Sequence, residues 1–301
     1  MADGAERILV IRQGGLGDFV QALGAIAAIR KHHADAQITL LAAQAYVDAA
    51  QRSRYVNDIV VDTRKSFFDL PAFLKLYRAL NAHVFTHVYD LRAERGGNYL
   101  QLLKHKPQNI VRLGSIGTAM HILDRYRDML VPLGMKVDMP NVSWMVSDTS
   151  FFSLKKPYVL LVPGSSPAHP ERRWPAMRYG ALGLKLMREG YDVAVIGTND
   201  EHEAIARVVK SCPGIHDLSG RTSVYDIATL ARNAAGAVGN DSGPVHLIAL
   251  CNCPVIALFS STSDAALDAP RGDAVTVIQS DTITDISVDD VYKNLKLREG
   301  A

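Results

Sequence analysis

Four short stretches of this chain combine glycine, hydroxyl, acid and guanidinium groups in the manner of sites for phosphate-bearing, hydroxyl-rich ligands. In Gly14-Gly15-Leu16-Gly17-Asp18, three glycines strip side chains from the backbone beside a carboxylate, so another molecule can approach Asp18 closely. An acid in the first turn of a helix is also ordinary capping chemistry. In Gly239-Asn240-Asp241-Ser242-Gly243-Pro244-Val245-His246, the free N–H groups of Ser242 and Gly243 at a helix start form an anion site. Pro244 in that first turn lacks only a hydrogen the turn does not need. A carboxylate at Asp241 repels phosphate and suits sugar hydroxyls. The same stretch is common turn chemistry as well, and His246 fits a packed helix position equally well. The third stretch, Pro163-Gly164-Ser165-Ser166 followed by Arg172-Arg173-Trp174-Pro175, offers hydroxyls and a guanidinium to phosphate oxygens, with Trp174 read as core. The fourth, Gly197-Thr198-Asn199-Asp200-Glu201, is a turn able to hold ribose hydroxyls.

Each stretch follows a β-branched run and opens a helical pattern, which is what places it. In the first half, strands are expected at 8–11, 38–41, 59–61, 84–91 and 109–113, with helices at about 19–30, 44–52, 68–81, 96–104 and 118–134. Residues 135–156 lack helical periodicity, contain Pro140 and read as a connector. The pattern then restarts with strands at 158–162, 192–196, near His216, 237–239 and 254–259. Helices are expected at 174–189, 200–211, after the Ser223/Asp226 capping pair, at 243–250 and at 288–297. Such alternation predicts an α/β protein of two doubly wound lobes, 1–150 and 151–301, with parallel sheets covered by helices on both faces. Ligands of such sheets bind beyond the carboxyl ends of the strands, where all four stretches lie.

Composition narrows the function. With 48% hydrophobic and 21% charged residues, the 301-residue chain reads as a folded soluble protein. No apolar run approaches a spanning length, and the acidic start MADGAERILV does not read as a secretory leader. Cys212, Cys251 and Cys253 are too few for a disulfide framework or a four-ligand zinc site and are expected as buried thiols in a reducing compartment. The net charge of +2 divides into +4 over residues 1–150 and −2 over 151–301, far from the basic stripe of a nucleic-acid binder. Residues 75–112 hold a local +5, and Arg92 and Arg95 follow the strand ending near Leu91, placed either to meet an anionic partner or simply to face solvent. A redox dinucleotide fold is disfavoured: the pattern from Gly15 and Gly17 requires glycine where Val20 stands, and no acid follows the second strand to hold a ribose. No Asp-x-Asp occurs, so a metal-bridged diphosphate is not indicated and no metal site is expected; magnesium assistance in solution stays open.

Ile8-Leu-Val-Ile-Arg-Gln-Gly-Gly-Leu-Gly-Asp18, Arg173-Trp-Pro175, Leu218-Ser-Gly220 and the block 239–246 together resemble glycosyltransferase family nine, the bacterial lipopolysaccharide heptosyltransferases. Pro254-Val-Ile-Ala-Leu-Phe-Ser-Ser-Thr-Ser263 extends the likeness nearly end to end. The resemblance implies a GT-B architecture of two Rossmann-like lobes facing a central cleft, the last helix packing back on the first lobe. It implies inverting transfer of heptose from ADP-heptose to a sugar of the anionic lipopolysaccharide inner core, with no required cofactor. By position, Asp18 matches the general base, and Gly15 and Gly17 lie beside it on the acceptor side with Arg92 and Arg95. Asp241 falls near the donor sugar and His246 on the donor side, Ser242 and Gly243 at the pyrophosphate, Ser165, Ser166 and Arg172 on the phosphates, and Glu201 on the ribose. Three departures are visible: Arg172 stands where the family has lysine, the stretch from Ser166 to Arg172 is longer than the family pattern, and Phe259-Ser-Ser-Thr replaces a more usual Phe-Gly-Pro-Thr. A lipid-linked acceptor implies a cytoplasmic enzyme in transient contact with the inner membrane surface, for which 68–81 is the one weakly amphipathic candidate. The rival readings are a relative using another sugar nucleotide on a different glycan or protein acceptor, and a non-catalytic nucleotide-sugar-binding protein. The presence of both Asp18 and Asp241 argues against the last.

Overall fold

The computed structural model describes residues 6–64, 69–93, 98–114, 116–165 and 169–298. The chain divides into two units, Met1–Asn141 and Val142–Ala301, the boundary falling inside the expected connector and ahead of residue 150. Contacts on each side explain the position. Gly24 lets the Asp138 carbonyl press against its helix, where a Cβ would stand 2.4 Å from that oxygen. Beyond the boundary, Arg232 donates to the Met145 carbonyl at 2.7 Å and Thr229 Oγ1 accepts from the Ser147 N–H at 3.0 Å.

In the first unit, strands β1 (Arg7–Arg12), β2 (Gln37–Ala42), β3 (Asp58–Val61), β4 (His87–Asp90) and β5 (Asn109–Arg112) form a parallel sheet in the order β3-β2-β1-β4-β5. Central β1 is buried on both faces, which is why Ile8 to Ile11 read as an unbroken apolar run. Its helices are α1 (Leu16–His32), α2 (Val47–Ser53), α3 (Leu70–Leu80) and α4 (Ile122–Leu130). α4 is shorter than the periodicity over 118–134 predicts. His121 caps it by accepting from the Leu123 N–H at 3.2 Å, and a separate turn containing Pro132 follows it. The expected strand 84–91 shrinks to β4 because pairing with β1 begins at Ile8↔His87. Of the expected helix at 96–104, residues 96 and 97 lie outside the described residues, and the others contain a single turn, Tyr99–Leu102.

The second unit repeats the plan with β6 (Tyr158–Val162), β7 (Asp192–Val195), β8 (His216–Asp217), β9 (Gly236–Asn240), β10 (Val255–Ser260) and β11 (Val275–Ser280), parallel in the order β11-β10-β9-β6-β7-β8. Helices α5 (Ala176–Arg188), α6 (His202–Ser211), α7 (Val224–Asn233), α8 (Gly243–Leu250), α9 (Ala265–Asp268) and α10 (Val288–Asn294) connect them or close the chain. Strand β11 and the short α9 are additions to the expected elements. β11 alternates half-buried and exposed residues at the sheet edge, so it lacks the apolar density that marks the central strands. The last helix packs on α5 within its own unit. Val288, Val291 and Tyr292 join the core there, and the Arg298 N–H donates to the Ala235 carbonyl at 2.9 Å. All three cysteines are buried free thiols, and burial pushes Cys251 to about 11 and Cys253 to about 12. That fits the buried thiols expected.

Both strand orders reverse direction once, between β1 and β4 in the first unit and between β6 and β9 in the second. At such a point neighbouring connections leave on opposite faces and open a crevice beyond the carboxyl ends. Asp18 follows β1 and Arg92 follows β4; Arg172 follows β6 and Asp241 follows β9. The glycine-, hydroxyl- and acid-bearing loops after these strands therefore flank the two switch points.

Candidate active site

The chain leaves β1 through Gln13-Gly14-Gly15 and enters α1 with Gly15 as its N-cap. Asp18 sits in the first turn and uses its carboxylate twice. Oδ2 accepts from the Gly15 N–H at 2.9 Å, and Oδ1 accepts from Arg12 Nη2 in a short ion pair. Arg12 is itself buried and also donates from Nε to the Asp18 carbonyl at 3.0 Å. The capping role of Asp18 is shown, and its carboxylate is not enclosed by it. It caps the helix, and with 48% of its side chain exposed it still presents a fixed carboxylate to solvent. Gly14 has φ +128°, and a Cβ there would lie 2.2 Å from Asp18 Oδ2, so this glycine is what lets the carboxylate fold back over the turn. Gly17 lies in the same turn, its carbonyl accepting from Gln21 Nε2 at 3.2 Å. Tyr46, stacked on Phe19 with ring centroids 5.1 Å apart, belongs to this neighbourhood. Burial, with the Asp18 charge adding to it, pushes its phenol above the ordinary range.

Arg92, expected either to meet an anionic partner or to face solvent, is paired within the protein. It forks onto Asp90, with Nε to Oδ1 at 2.8 Å and Nη2 to Oδ2 at 2.7 Å, while its guanidinium lies 4.8 Å above the Tyr99 ring. Arg64 forks in the same way onto Asp62 after β3, and Tyr99 donates its hydroxyl to Asp62 Oδ2 at 2.8 Å. Arg95 lies outside the described residues, as does Ser166.

In the second unit, one residue to which the sequence assigned no role organises the site. Asn240, at 0% exposure, ends β9. Its Oδ1 accepts from the Trp174 N–H at 3.0 Å and from the Tyr179 hydroxyl at 2.9 Å. Its Nδ2 donates to the carbonyls of Pro163 at 2.7 Å and Gly164 at 3.3 Å. One amide thus ties the loop after β6, the entry to α5 and the end of β9 together. A polar residue ending a fully apolar strand is the signal that marks it. Ser165 is committed locally: it donates to the His169 carbonyl and accepts from Arg173 Nε, both at 3.1 Å. Its hydroxyl therefore braces the loop on which the phosphate contact was expected.

Asp241 follows Asn240 and is largely buried, 9% of its side chain exposed. Arg172 reaches it from across the loop, with Nη1 3.1 Å from Oδ2 and Nη2 3.1 Å from the Thr262 carbonyl. Burial pushes the Asp241 carboxyl above its ordinary range; Arg172 opposes this and the Asp268 charge adds to it. Ser242 is the N-cap of α8, yet its side chain caps nothing. Among the described residues, Ser242 Oγ and Arg172 Nε are buried without a hydrogen-bond partner. Gly243 opens the helix with Pro244 behind it, and His246 is buried one turn in. Glu201 turns back on its own loop, accepting from the Thr198 N–H at 2.7 Å, and presses on Gly164, where a Cβ would stand 1.8 Å from Oε1. Asn199 packs in the same way on Gly220, whose φ is +65°. The loops after β6, β7 and β8 thus interlock through glycines facing polar side chains. Among the described residues, no group of three or more His, Cys, Asp or Glu is placed to hold a metal ion.

The arrangement in the second unit offers a helix N-terminus, a guanidinium with a spare donor, a spare hydroxyl and a buried carboxylate to one anionic, hydroxylated ligand. The chain is 30% identical over 130 residues to lipooligosaccharide heptosyltransferase 2 of Haemophilus influenzae, a match covering 42% of this chain and 37% of that relative. The chain therefore spans well under half the length of that relative. Its fold matches the E. coli ADP-heptose lipopolysaccharide heptosyltransferase II structure with a TM-score of 0.77 at 20% identity, covering 96% of this chain and 97% of that one. It also matches a family 9 glycosyl transferase from Veillonella parvula with a TM-score of 0.82 at 18% identity, covering 96% and 95%. These likenesses give the fold, the GT-B type with two Rossmann-like parallel-sheet units. The family model described as glycosyltransferase family 9 (heptosyltransferase) matches residues 119–296, more than half of the sequence and all of the loops around Asp241. The chain belongs to glycosyltransferase family 9.

Proposed function

We propose that this protein is an inverting glycosyltransferase that moves heptose from ADP-heptose to a sugar of the lipopolysaccharide inner core. What carries the reading is the second switch point. There a buried carboxylate, Asp241, stands beside the N-terminus of α8 with the unpartnered Ser242 Oγ and Arg172 Nε. A diphosphate accepts from that helix end, from Ser242 and Gly243 N–H groups and from Arg172; the carboxylate is left for sugar hydroxyls. Charge that grows on the departing diphosphate is met by the same donors. Glu201 and its turn take the ribose, and His246, one turn into α8, lines the sugar side. Ser165 serves from behind by bracing Arg173, and Ser166 completes the phosphate loop.

Asp18 is the general base. Arg12 and the Gly15 N–H fix the direction of its carboxylate, and Gly15 and Gly17 keep the approach clear. It takes the proton of the acceptor hydroxyl as that oxygen attacks the anomeric carbon on the face opposite the diphosphate. Such assistance is worth about 10²–10⁴-fold. Arg92, released from Asp90, and Arg95 meet the anionic groups of the acceptor. The reaction needs no cofactor by this route, and magnesium acts at most on the free nucleotide. No helix among the described residues is long and apolar enough to cross a membrane. A lipid-linked acceptor then calls for transient contact of a cytoplasmic enzyme with the inner membrane surface, and α3, with Leu70 and Leu74 exposed beside Lys75 and Arg78, offers one.

The test is calorimetry of ADP and ADP-heptose on wild type and Asp18→Ala, beside a transfer assay on core-lipid acceptor. Binding by both proteins with turnover by wild type alone supports the assignment. Failure of wild type to bind any ADP compound sinks the donor, and a screen of other sugar nucleotides then decides the rival reading.

A further inference from the structure

Arg172 and Asp241 are described above as two donor-site residues, yet they occupy each other. Nη1 of Arg172 is engaged by the carboxylate and Nη2 by the Thr262 carbonyl, while Nε is buried and unused. The guanidinium is therefore only partly satisfied where it stands, and a diphosphate at the start of α8 offers it more and stronger acceptors. We propose that Arg172 is exchanged between Asp241 and the donor diphosphate, and that this exchange lets the site distinguish an intact nucleotide sugar from the bare nucleoside diphosphate. The proposal rests on the nucleotide-sugar reading of this site.

The discrimination follows from burial. Asp241 has 9% of its side chain exposed, so losing Arg172 leaves a carboxylate with neither counter-charge nor adequate water. An ionised carboxylate only accepts hydrogen bonds, so the groups that can restore it are donors, and the sugar hydroxyls of an intact donor are such groups. A bare diphosphate brings none; the Ser263 hydroxyl still acts on Asp241 but is neutral, so the charge is left under-compensated. The Asp268 carboxylate, near enough to push the Asp241 carboxyl upward, makes that stranded state costlier. The same asymmetry acts after transfer. Once the sugar has left with the acceptor, Asp241 competes again for Arg172 and loosens the diphosphate, which favours product release.

The experiment is a calorimetric double-mutant cycle with ADP and ADP-heptose, without acceptor, on wild type, Asp241→Asn, Arg172→Gln and the double variant. Wild type is expected to bind ADP-heptose at least about tenfold more tightly than ADP. In Asp241→Asn no charge is stranded, so ADP binds roughly tenfold more tightly than to wild type and the preference for the intact donor collapses. In the Arg172→Gln background there is no pair to break, and adding Asp241→Asn changes ADP affinity by less than about twofold. Equal tightening in both backgrounds means plain repulsion between carboxylate and phosphate and overturns the exchange; so does an unchanged or weaker ADP affinity in Asp241→Asn. If wild type binds neither compound, the nucleotide-sugar reading falls and takes the exchange with it. If wild type binds both and the preference survives Asp241→Asn, the exchange alone falls. Asp241→Ser, also neutral, repeats the cycle should the amide variant not fold.

Discussion

Replacing Asn240 by alanine tests whether one buried amide holds the second switch point together. The substitution removes two donors and an acceptor from a site with no water access. The Trp174 N–H and the Pro163 carbonyl lose their partners outright, while the Tyr179 hydroxyl keeps its bond to the Val162 carbonyl at 3.2 Å. Each stranded buried group costs about 1–3 kcal/mol, so the loss should be roughly 4 kcal/mol. For a unit of this size that lowers the melting temperature by about 8–16 °C. The readout is specific because both tryptophans of the chain, Trp144 and Trp174, lie in the second unit, so their fluorescence during urea unfolding reports that unit. Asn240→Asp sharpens the test. A carboxylate still accepts from Trp174 and Tyr179 but meets the Pro163 carbonyl with no proton to donate. Its buried carboxyl is raised above the unfolded value, so stability should be greatest at low pH and fall as pH rises through about 4. A loss below about 1 kcal/mol in Asn240→Ala, or an Asn240→Asp protein as stable as wild type at pH 7, would refute the account.

Three further outcomes follow from the geometry. Asp18→Asn, which still accepts from the Gly15 N–H, should lower turnover by about 10²–10⁴-fold while leaving ADP-heptose affinity within about twofold, measured by steady-state kinetics beside calorimetry; a tenfold loss of donor affinity would remove the assignment of Asp18 to proton transfer. Gly164→Ala drives a methyl to 1.8 Å from Glu201 Oε1, so Glu201 must leave its bond to the Thr198 N–H and KM for the donor should rise roughly tenfold with kcat less affected; an unchanged KM shows that Glu201 does not meet the ribose. In the first unit, burial holds His33 below its ordinary value, with Glu6 opposing. The unfolded chain therefore takes up that proton first, so stability should fall as pH drops through about 6.5 and level off once the folded imidazole is protonated. His33→Gln should flatten that slope in urea titrations followed by circular dichroism, and an identical slope in the variant assigns it elsewhere.

The local geometry of the candidate loops was legible because it is decided within a few residues. Gly14, Gly15 and Gly17 before Asp18, Ser242-Gly243-Pro244 at the start of α8, and Ser223 with Asp226 at α7 are decided by φ/ψ freedom, by missing or free N–H groups and by caps, all within one turn of chain. The central strands were equally legible, since burial on both faces demands continuous apolar runs. Edge strand β11 was not, because one half-solvated face dilutes the same signal. What the tertiary structure alone decided is who holds whom. Asn240 bonds to residues more than sixty positions away, Arg172 meets Asp241 across 69, and Tyr99 reaches Asp62 across 37. Side chains of one type can satisfy many partners, and packing brings together the pair that burial makes obligatory. Sequence determined that acids, hydroxyls and guanidinium groups gather at strand ends; the fold determined which of them are free to meet a ligand, because each buried charge must first be matched within the protein.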